Sequence, residues 1–153
     1  MSTFPPMTRQ EVINKYKDLI TTYRIPNAKI WLGGGSAMIM HGLRETTQDL
    51  DAGVGGLWFD LLAKKADAEI KVYNITDGYL HDGTRMYTLS EFCADVHLEQ
   101  SVHRSNLVEI DGVWCYNLNT LLDQKGLLAK RLGRDKDFRD IEALHRVIAL
   151  AHR

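Results

Sequence analysis

A glycine triplet followed by two aspartates restricts the fold of this chain more than any other feature. Both lie in residues 30–54, IWLGGGSAMIMHGLRETTQDLDAGV. AKIWL reads as a short buried strand, and SAMIMHG begins a helix that Gly42 ends. In TTQDLDAGV, apolar residues alternate with Asp49 and Asp51, as successive strand residues must. The stretch therefore predicts a strand, a glycine turn, a helix and a second strand whose two carboxylates share one face.

The other patterns predict an α+β (α/β-like) fold, a small mixed sheet with packed helices. Thr8 and Glu11 have the spacing of a capping box at the start of a helix over residues 8–23. LWFDLLAKKA reads as a helix, and EIKVYNI, RMYTL and FCADVHLEQ read as strands, the first two joined by a turn at DGYLHDG. VEIDGVWCYNL predicts a hairpin around Asp111 and Gly112. Two helices follow, over residues 119–132 and 136–152, with Asp135 as the N-cap of the second.

Length and charge limit the classes of function. A chain of 153 residues suits a single domain over 1–153, and we expect residues 1–7 to be frayed and 119–152 to form a C-terminal helical pair. A net charge of -1 provides no global basic field, so a nucleic-acid partner would need a local patch. Cys93 and Cys115 lack zinc or redox spacing, which indicates reduced thiols in a cytoplasmic protein. No apolar run reaches the length of a membrane span.

Three aspartates in the predicted strands could together bind divalent metal ions. Nucleotidyl transfer can use two divalent ions about 4 Å apart, held by carboxylate oxygens on rigid elements. FCADVHLEQ alternates so that Asp95 lies on the polar face of a third strand. Asp49, Asp51 and Asp95 are therefore the candidate ligands of Mg2+ or Mn2+, which prefer oxygen donors.

The glycine turn has a complementary role. Backbone N–H groups of Gly34, Gly35 and Ser36 can approach phosphate oxygens, helped by the N-terminus of the following helix. The Ser36 hydroxyl can add a further donor. A glycine triplet alone usually marks only a turn, and D-x-D alone usually marks two solvated positions, so their order and spacing carry the prediction.

At these residues the sequence resembles the polymerase-beta-like nucleotidyltransferase superfamily, with its G-G-S helix, D-x-D pair and later single Asp. The stretch GGGSAMIMHGLRETTQDLDAGV looks most like small bacterial abortive-infection toxin-type enzymes. The resemblance implies that Gly34, Gly35 and Ser36 contact the phosphates of an NTP. It also implies that Asp49 and Asp51 bind metal. By the same resemblance, Asp95 completes the metal site and assists deprotonation of the acceptor.

Basic residues are the second group that the resemblance implicates. Arg44 and Thr46 lie in LRETTQDLD, which resembles the family's Arg-x-Thr segment, and either contacts substrate or fixes loop geometry. Lys125 falls on an apolar helical stripe and must reach water or an anion. Similar enzymes place such a residue on the triphosphate, and Lys130 and Arg131 are the next candidates. The alternative is a lysine that extends from the core edge into water.

Two further polar patterns allow alternative interpretations. His97 and Glu99 share a face with Asp95, which allows a transition-metal site but more often marks a solvated strand face. AKRLGRDKDFRDIEALHR carries a Lys-Asp-x-x-Asp pattern also found in similar sequences. We interpret this segment as helix capping with a salt-bridged surface, although Arg131, Arg134 and Lys136 could contact an acidic acceptor.

Together these features predict a metal-dependent enzyme that transfers an NMP from an NTP to an acceptor hydroxyl and releases pyrophosphate. The acceptor is an RNA or tRNA end or a protein side chain, as for toxin–antitoxin enzymes with a cognate partner protein. A small antibiotic is the alternative acceptor. An alternative from another class is a non-catalytic nucleotide- or partner-binding module, such as an antitoxin or inhibitor. No membrane partner is expected.

Overall fold

A computed structural model describes residues 4–73, 84–99 and 102–151 of the chain. These residues form five α-helices and a seven-stranded sheet. The helices are α1 (Arg9–Thr22), α2 (Gly34–Met40), α3 (Gly56–Lys65), α4 (Leu118–Leu132) and α5 (Asp135–Ala151). The strands are β1 (Ile30–Gly33), β2 (Leu50–Val54), β3 (Lys71–Tyr73), β4 (Thr84–Leu89), β5 (Ala94–Leu98), β6 (Leu107–Ile110) and β7 (Val113–Tyr116).

The sheet is mixed, with strand order β3-β4-β5-β2-β1-β7-β6. At its centre β2 runs antiparallel to β1 and parallel to β5, and β1 runs parallel to β7. The remaining pairs, β3 with β4, β4 with β5 and β6 with β7, are antiparallel. The predicted α+β fold with a mixed sheet and a C-terminal pair of helices is confirmed.

One face of the central strands is fully apolar. Every second side chain of a strand points to the same face, so the side chains of Leu50, Ala52 and Val54 of β2 lie together. All three are completely buried. The neighbouring strands continue this face, and α3 packs on it with the Phe59 ring 4.9 Å from the Tyr87 ring. The intervening residues of β2 and β5 point to the opposite face, where the candidate site lies.

The first helix begins as the sequence predicts. Thr8 is its N-cap, and Thr8 and Glu11 form the complete capping box. The expectation that residues 1–7 are frayed is wrong for Met7. Its N–H donates to the Thr47 carbonyl at 2.7 Å, the Thr47 N–H donates back at 3.0 Å, and the side chain is buried. This short pairing ties the start of α1 to the segment that precedes β2.

Several predicted boundaries shift. Phe92 belongs to a 3-10 turn, Ser90–Phe92, and Cys93 adopts a left-handed conformation (φ 51°), so β5 begins only at Ala94. Asp135 is the first residue of α5 rather than a residue before it. The hairpin at Asp111 and Gly112 is confirmed, with φ of 50° and 81°. The predicted turn DGYLHDG lies outside the described residues.

Cys93 and Cys115 are free thiols, as predicted. Cys115 is completely buried in β7, and burial raises the pKa of its thiol to about 12. In the described part of the chain, no helix is both long enough and apolar enough to cross a membrane.

Candidate active site

The structure brings the three predicted carboxylates together at one end of the central strands. Asp51 of β2 lies directly opposite Asp95 of β5 in the parallel register, so both side chains point to the same face. Asp49 immediately precedes β2 and hydrogen-bonds to Asp95. Thr88 of β4, the register partner of Asp95, donates its hydroxyl to Asp95 Oδ1 at 2.7 Å. We call Asp49, Asp51 and Asp95 the carboxylate cluster.

Burial, together with neighbouring negative charge, raises two pKa values in the cluster. The pKa of Asp49 is raised to about 7 by burial, by the charge of Asp51 and by its hydrogen bond to Asp95, with a smaller opposing effect of Lys136. Burial likewise raises the pKa of Asp51, opposed by the nearby cations His97 and Lys125. Carboxylates held this close are costly to ionise together unless a cation joins them.

The glycine turn closes directly over Asp51. Gly34 has φ +50°, and a Cβ there would collide with the Asp51 carboxylate, so only glycine fits. Its N–H donates to Gln124 Oε1 at 3.4 Å. The buried Ser36 hydroxyl donates to the Gly33 carbonyl at 2.9 Å and accepts from the Asp51 N–H at 3.1 Å. Here Ser36 connects the turn to β2, and its contact with a phosphate stays a prediction.

Arg44 reaches the same turn from the loop before β2. A Cβ on Gly35 would lie 2.7 Å from Arg44 Nη1 and 2.9 Å from the Thr47 hydroxyl, so these groups pack against the turn backbone. Thr47 is buried, whereas Thr46, the residue singled out in the sequence, is exposed. The Arg44 guanidinium therefore stands beside the backbone that is predicted to meet phosphate.

Lys125 is almost completely buried, with 4% of its surface exposed, and reaches carboxylates of α5. Its Nζ lies 2.9 Å from Asp140 Oδ2 and 3.8 Å from Asp137 Oδ1. Arg44 Nη2 also contacts Asp140, at 2.6 Å, and Arg134 Nε contacts Asp137 at 2.8 Å. We call Arg44, Lys125, Arg134, Asp137 and Asp140 the ion-pair network. The sequence predicted that Lys125 reaches water or an anion, and it contacts these two carboxylates; its contact with a triphosphate stays a prediction.

The network corrects the interpretation of the Lys-Asp-x-x-Asp segment as a salt-bridged surface. Asp137 is completely buried and Asp140 nearly so. Burial alone would raise the pKa of Asp140, but its bonds to Arg44 and Lys125 hold it below the usual value. Sequence reasoning missed both aspartates, although Asp137, Asp140 and the buried Leu144 have the spacing of an inward helical stripe.

Further basic residues surround the network. Burial lowers the pKa of Lys136, as do the neighbouring charges of Arg134, Lys125 and Arg44. The charge of Lys136 in turn lowers the pKa of Asp49, which places the lysine within electrostatic reach of the carboxylate cluster. Lys130 is exposed on α4 and makes no such approach.

On its other side the carboxylate cluster meets His97. His97 Nδ1 lies 3.2 Å from Asp51 Oδ1, while Nε2 contacts Glu99 Oε1. The Tyr116 hydroxyl donates to the second oxygen of Glu99. Burial would lower the pKa of His97, but Asp51, Glu99 and Asp95 raise it to about 9. His97 thus contacts both Asp51 and Glu99. The two residues do not form the solvated strand face that the sequence interpretation favoured.

The cluster fits divalent ions in donor chemistry and in charge. Carboxylate oxygens are the ligands that Mg2+ and Mn2+ prefer. The pKa values of Asp49 and Asp51 are raised, and a bound cation would lower them by stabilising the ionised carboxylates. In residues 4–73, 84–99 and 102–151, no group of three or more His, Cys, Asp or Glu side chains is already arranged to hold a metal ion.

No protein-family model and no curated protein matches the sequence. The fold, however, is similar to solved structures of ANT(2'')-Ia. The solution structure of this antibiotic-resistance factor matches with a TM-score of 0.61 and 14% identity, covering 93% of this chain and 86% of that one. The crystal structure of ANT(2'')-Ia in complex with adenylyl-2''-tobramycin matches with a TM-score of 0.60 and 14% identity, covering 92% and 90%. The chain therefore has a nucleotidyltransferase-like fold.

Proposed function

We propose that this protein is a metal-dependent nucleotidyltransferase that transfers an NMP from an NTP to an acceptor hydroxyl. One observation carries the proposal, the convergence of Asp49, Asp51 and Asp95 directly beside a glycine turn. Clustered, partly buried carboxylates with raised pKa values, such as Asp49 and Asp51, are typical of functional sites. The similarity in fold to ANT(2'')-Ia supports the same class of reaction.

In the proposed reaction, the acceptor oxygen forms a bond to the α-phosphorus while the bond to the leaving pyrophosphate breaks in line. Asp49, Asp51 and Asp95 would hold the divalent ions, which supply charge neutralisation at the attacking and leaving oxygens. Asp95 would take up the proton of the acceptor hydroxyl. Its hydrogen bond from Thr88 fixes the direction of the carboxylate for that role. The chain contributes mainly positioning and electrostatics, as is usual in phosphoryl chemistry.

The NTP would bind between the glycine turn and the basic side of the site. Arg44 lies against the turn backbone, and Lys125 and Lys136 lie within electrostatic reach of the cluster. The network and Lys136 together contain four cations, Arg44, Lys125, Arg134 and Lys136, and two carboxylates. This positive excess favours the triphosphate. Gly34, Gly35 and Ser36 would provide backbone N–H groups to the phosphates.

Two classes of acceptor are candidates for the transferred NMP. An RNA end or a protein side chain is the candidate from the toxin-type resemblance. A small hydroxylated antibiotic is the second candidate, favoured by the bound adenylyl-2''-tobramycin of the structurally similar ANT(2'')-Ia. Their products differ in size by orders of magnitude, so one labelling experiment distinguishes them.

The test incubates purified protein with each α-labelled NTP and Mg2+ or Mn2+, in parallel with total cellular RNA, total cellular protein and tobramycin. We expect one acceptor to gain label and the same reaction to release pyrophosphate. The control is Asp51→Asn, which removes a charge but keeps the size of the side chain. It should lower transfer by about a thousandfold or more, equivalent to about 4 kcal/mol of transition-state stabilisation.

Each outcome is informative. Label on RNA or protein that disappears with Asp51→Asn supports the first acceptor class, and label on tobramycin supports the second. Label that persists in Asp51→Asn contradicts the proposed site. Nucleotide binding without any transfer would instead indicate the non-catalytic module.

A further inference from the structure

His97 touches both the carboxylate cluster and a second set of polar side chains. Its two ring nitrogens contact Asp51 and Glu99, and Glu99 accepts in turn from Tyr116. Together these contacts form a continuous chain of polar side chains from Tyr116 of β7 through Glu99 and His97 to Asp51 of β2, which we call the His97 chain (Asp51, His97, Glu99 and Tyr116).

The backbone of β2 makes room for this chain. Gly53 is the register partner of His97 on β2, two residues after Asp51. A Cβ on Gly53 would lie 2.5 Å from Glu99 Oε1 and would also collide with the Trp31 indole. Any other residue at this position would therefore push Glu99 away from His97. The missing side chain at Gly53 is an independent sign that Glu99 is fitted into place.

Asp51 is held from two sides by these contacts. One carboxylate oxygen faces His97 Nδ1 at 3.2 Å, and the other lies against the Cα of Gly34, where a Cβ cannot fit. The Asp51 N–H is also fixed, because it donates to Ser36. Asp95 is positioned by a different group, the Thr88 hydroxyl. Asp51 and Asp95 are thus each contacted by a different polar side chain, His97 and Thr88.

We propose that His97, oriented by Glu99 and Tyr116, is a positioning residue that sets the Asp51 carboxylate for metal binding. This inference rests on the proposed function. Side chains that hydrogen-bond to metal ligands fix ligand orientation, and their loss typically costs about 10- to 100-fold in metal affinity or activity.

The test is Mn2+ binding to the purified, metal-free protein, followed by the loss of the free Mn2+ signal in electron paramagnetic resonance. Two substitutions of His97 test its contact with Asp51 separately from its contact with Glu99. His97→Asn places an amide N–H near the position of Nδ1 and keeps a donor to Asp51. His97→Gln reaches toward Glu99 and abandons Asp51. Circular dichroism and thermal unfolding of both variants establish that they fold.

We expect His97→Gln to weaken Mn2+ binding about 10- to 100-fold and His97→Asn to recover most of it. In turnover, His97→Gln should lower kcat with little change in the KM for the NTP. Equal Mn2+ affinity in both variants and wild type would overturn the inference alone. Tighter Mn2+ binding by His97→Gln would also overturn it, because His97 would then compete with the metal. A wild-type protein that transfers no NMP and binds no Mn2+ would overturn the proposed function as well.

Discussion

The carboxylate cluster adjoins the glycine turn at Gly34 and the ion-pair network adjoins it at Gly35, and the two groups arrange their charges in opposite ways. The cluster places like charges together, and the pKa values of Asp49 and Asp51 rise. The network alternates charges, and the pKa of Asp140 falls. Like charges held together cost folding free energy that protonation or a bound cation relieves, whereas alternating charges satisfy one another. The comparison distinguishes a cluster that still needs a positive partner from a network whose charges are already paired within the protein.

The largest stability effect should come from breaking the network at Lys125. Lys125→Met keeps the length of the side chain but leaves Asp137 and Asp140 with less compensation in a buried setting. Removing one partner of a buried ion pair typically costs about 3–5 kcal/mol. Urea unfolding followed by circular dichroism measures the loss.

The matched control is Lys130→Met, on the same helix but exposed. Its effect should stay within about 0.5 kcal/mol, as for ordinary surface changes. Asp51→Asn provides the comparison with the cluster, where loss of a crowded charge should leave the free energy of unfolding unchanged or increase it. Equal losses in Lys125→Met and Lys130→Met would show that the network contributes nothing to stability.

A smaller effect is expected at the glycine turn, between the two regions. Gly34→Ala forces a residue with a Cβ into φ +50° and against the Asp51 carboxylate. The left-handed conformation alone costs about 1–2 kcal/mol. Displacement of Asp51 should lower NMP transfer further than this stability loss explains. Unfolding experiments and the labelling reaction, run on the same preparations, measure both effects.

Gly126→Ala is the control for that substitution. Gly126 lies within α4, and a Cβ there would meet no atom within 4 Å. Alanine should therefore stabilise the helix by about 0.5–1 kcal/mol and leave transfer unchanged. If Gly34→Ala were as active and as stable as Gly126→Ala, the turn would not depend on glycine.

The sequence predicted the local parts of the site better than the contacts between distant parts. Alternation in strands has a fixed period of two, so it correctly placed Asp51 on the face opposite Leu50 and Ala52. It could not specify that β5 lies beside β2, because strand order depends on tertiary packing. The grouping of Asp51 with Asp95 was therefore anticipated from the chemistry of a shared metal site and from the family resemblance, not from strand order.

The same limit explains what was missed. Glu99 and Tyr116 are 17 positions apart and meet only because the sheet order places β7 within two intervening strands of β5, which Glu99 follows. The helical spacing of Lys125 correctly indicated a buried lysine, yet its partners lie on another helix. A charged residue on the inward face of a helix indicates that a partner of opposite charge lies on a neighbouring element. For Lys125 that partner could have been found from Asp137 and Asp140, which lie on the inward face of α5.

The smallest predicted effect is on the pH dependence of the free energy of unfolding, which should differ between the ion-pair network and the carboxylate cluster. The pKa of Asp140 lies below its usual value, because its bonds to Arg44 and Lys125 outweigh the opposing effect of burial. A group with a lowered folded-state pKa adds stability above its unfolded pKa of about 4, and that stability is lost as the pH falls toward the folded value. Wild type should therefore lose part of its advantage over Asp140→Asn below pH 4, by no more than about 1.4 kcal/mol per pH unit. Urea unfolding of both proteins between pH 3 and pH 7 measures this difference. An advantage of wild type that grows on acidification would contradict the assignment, because it would mean that Asp140 is held protonated, as expected for a carboxyl in the crowded cluster.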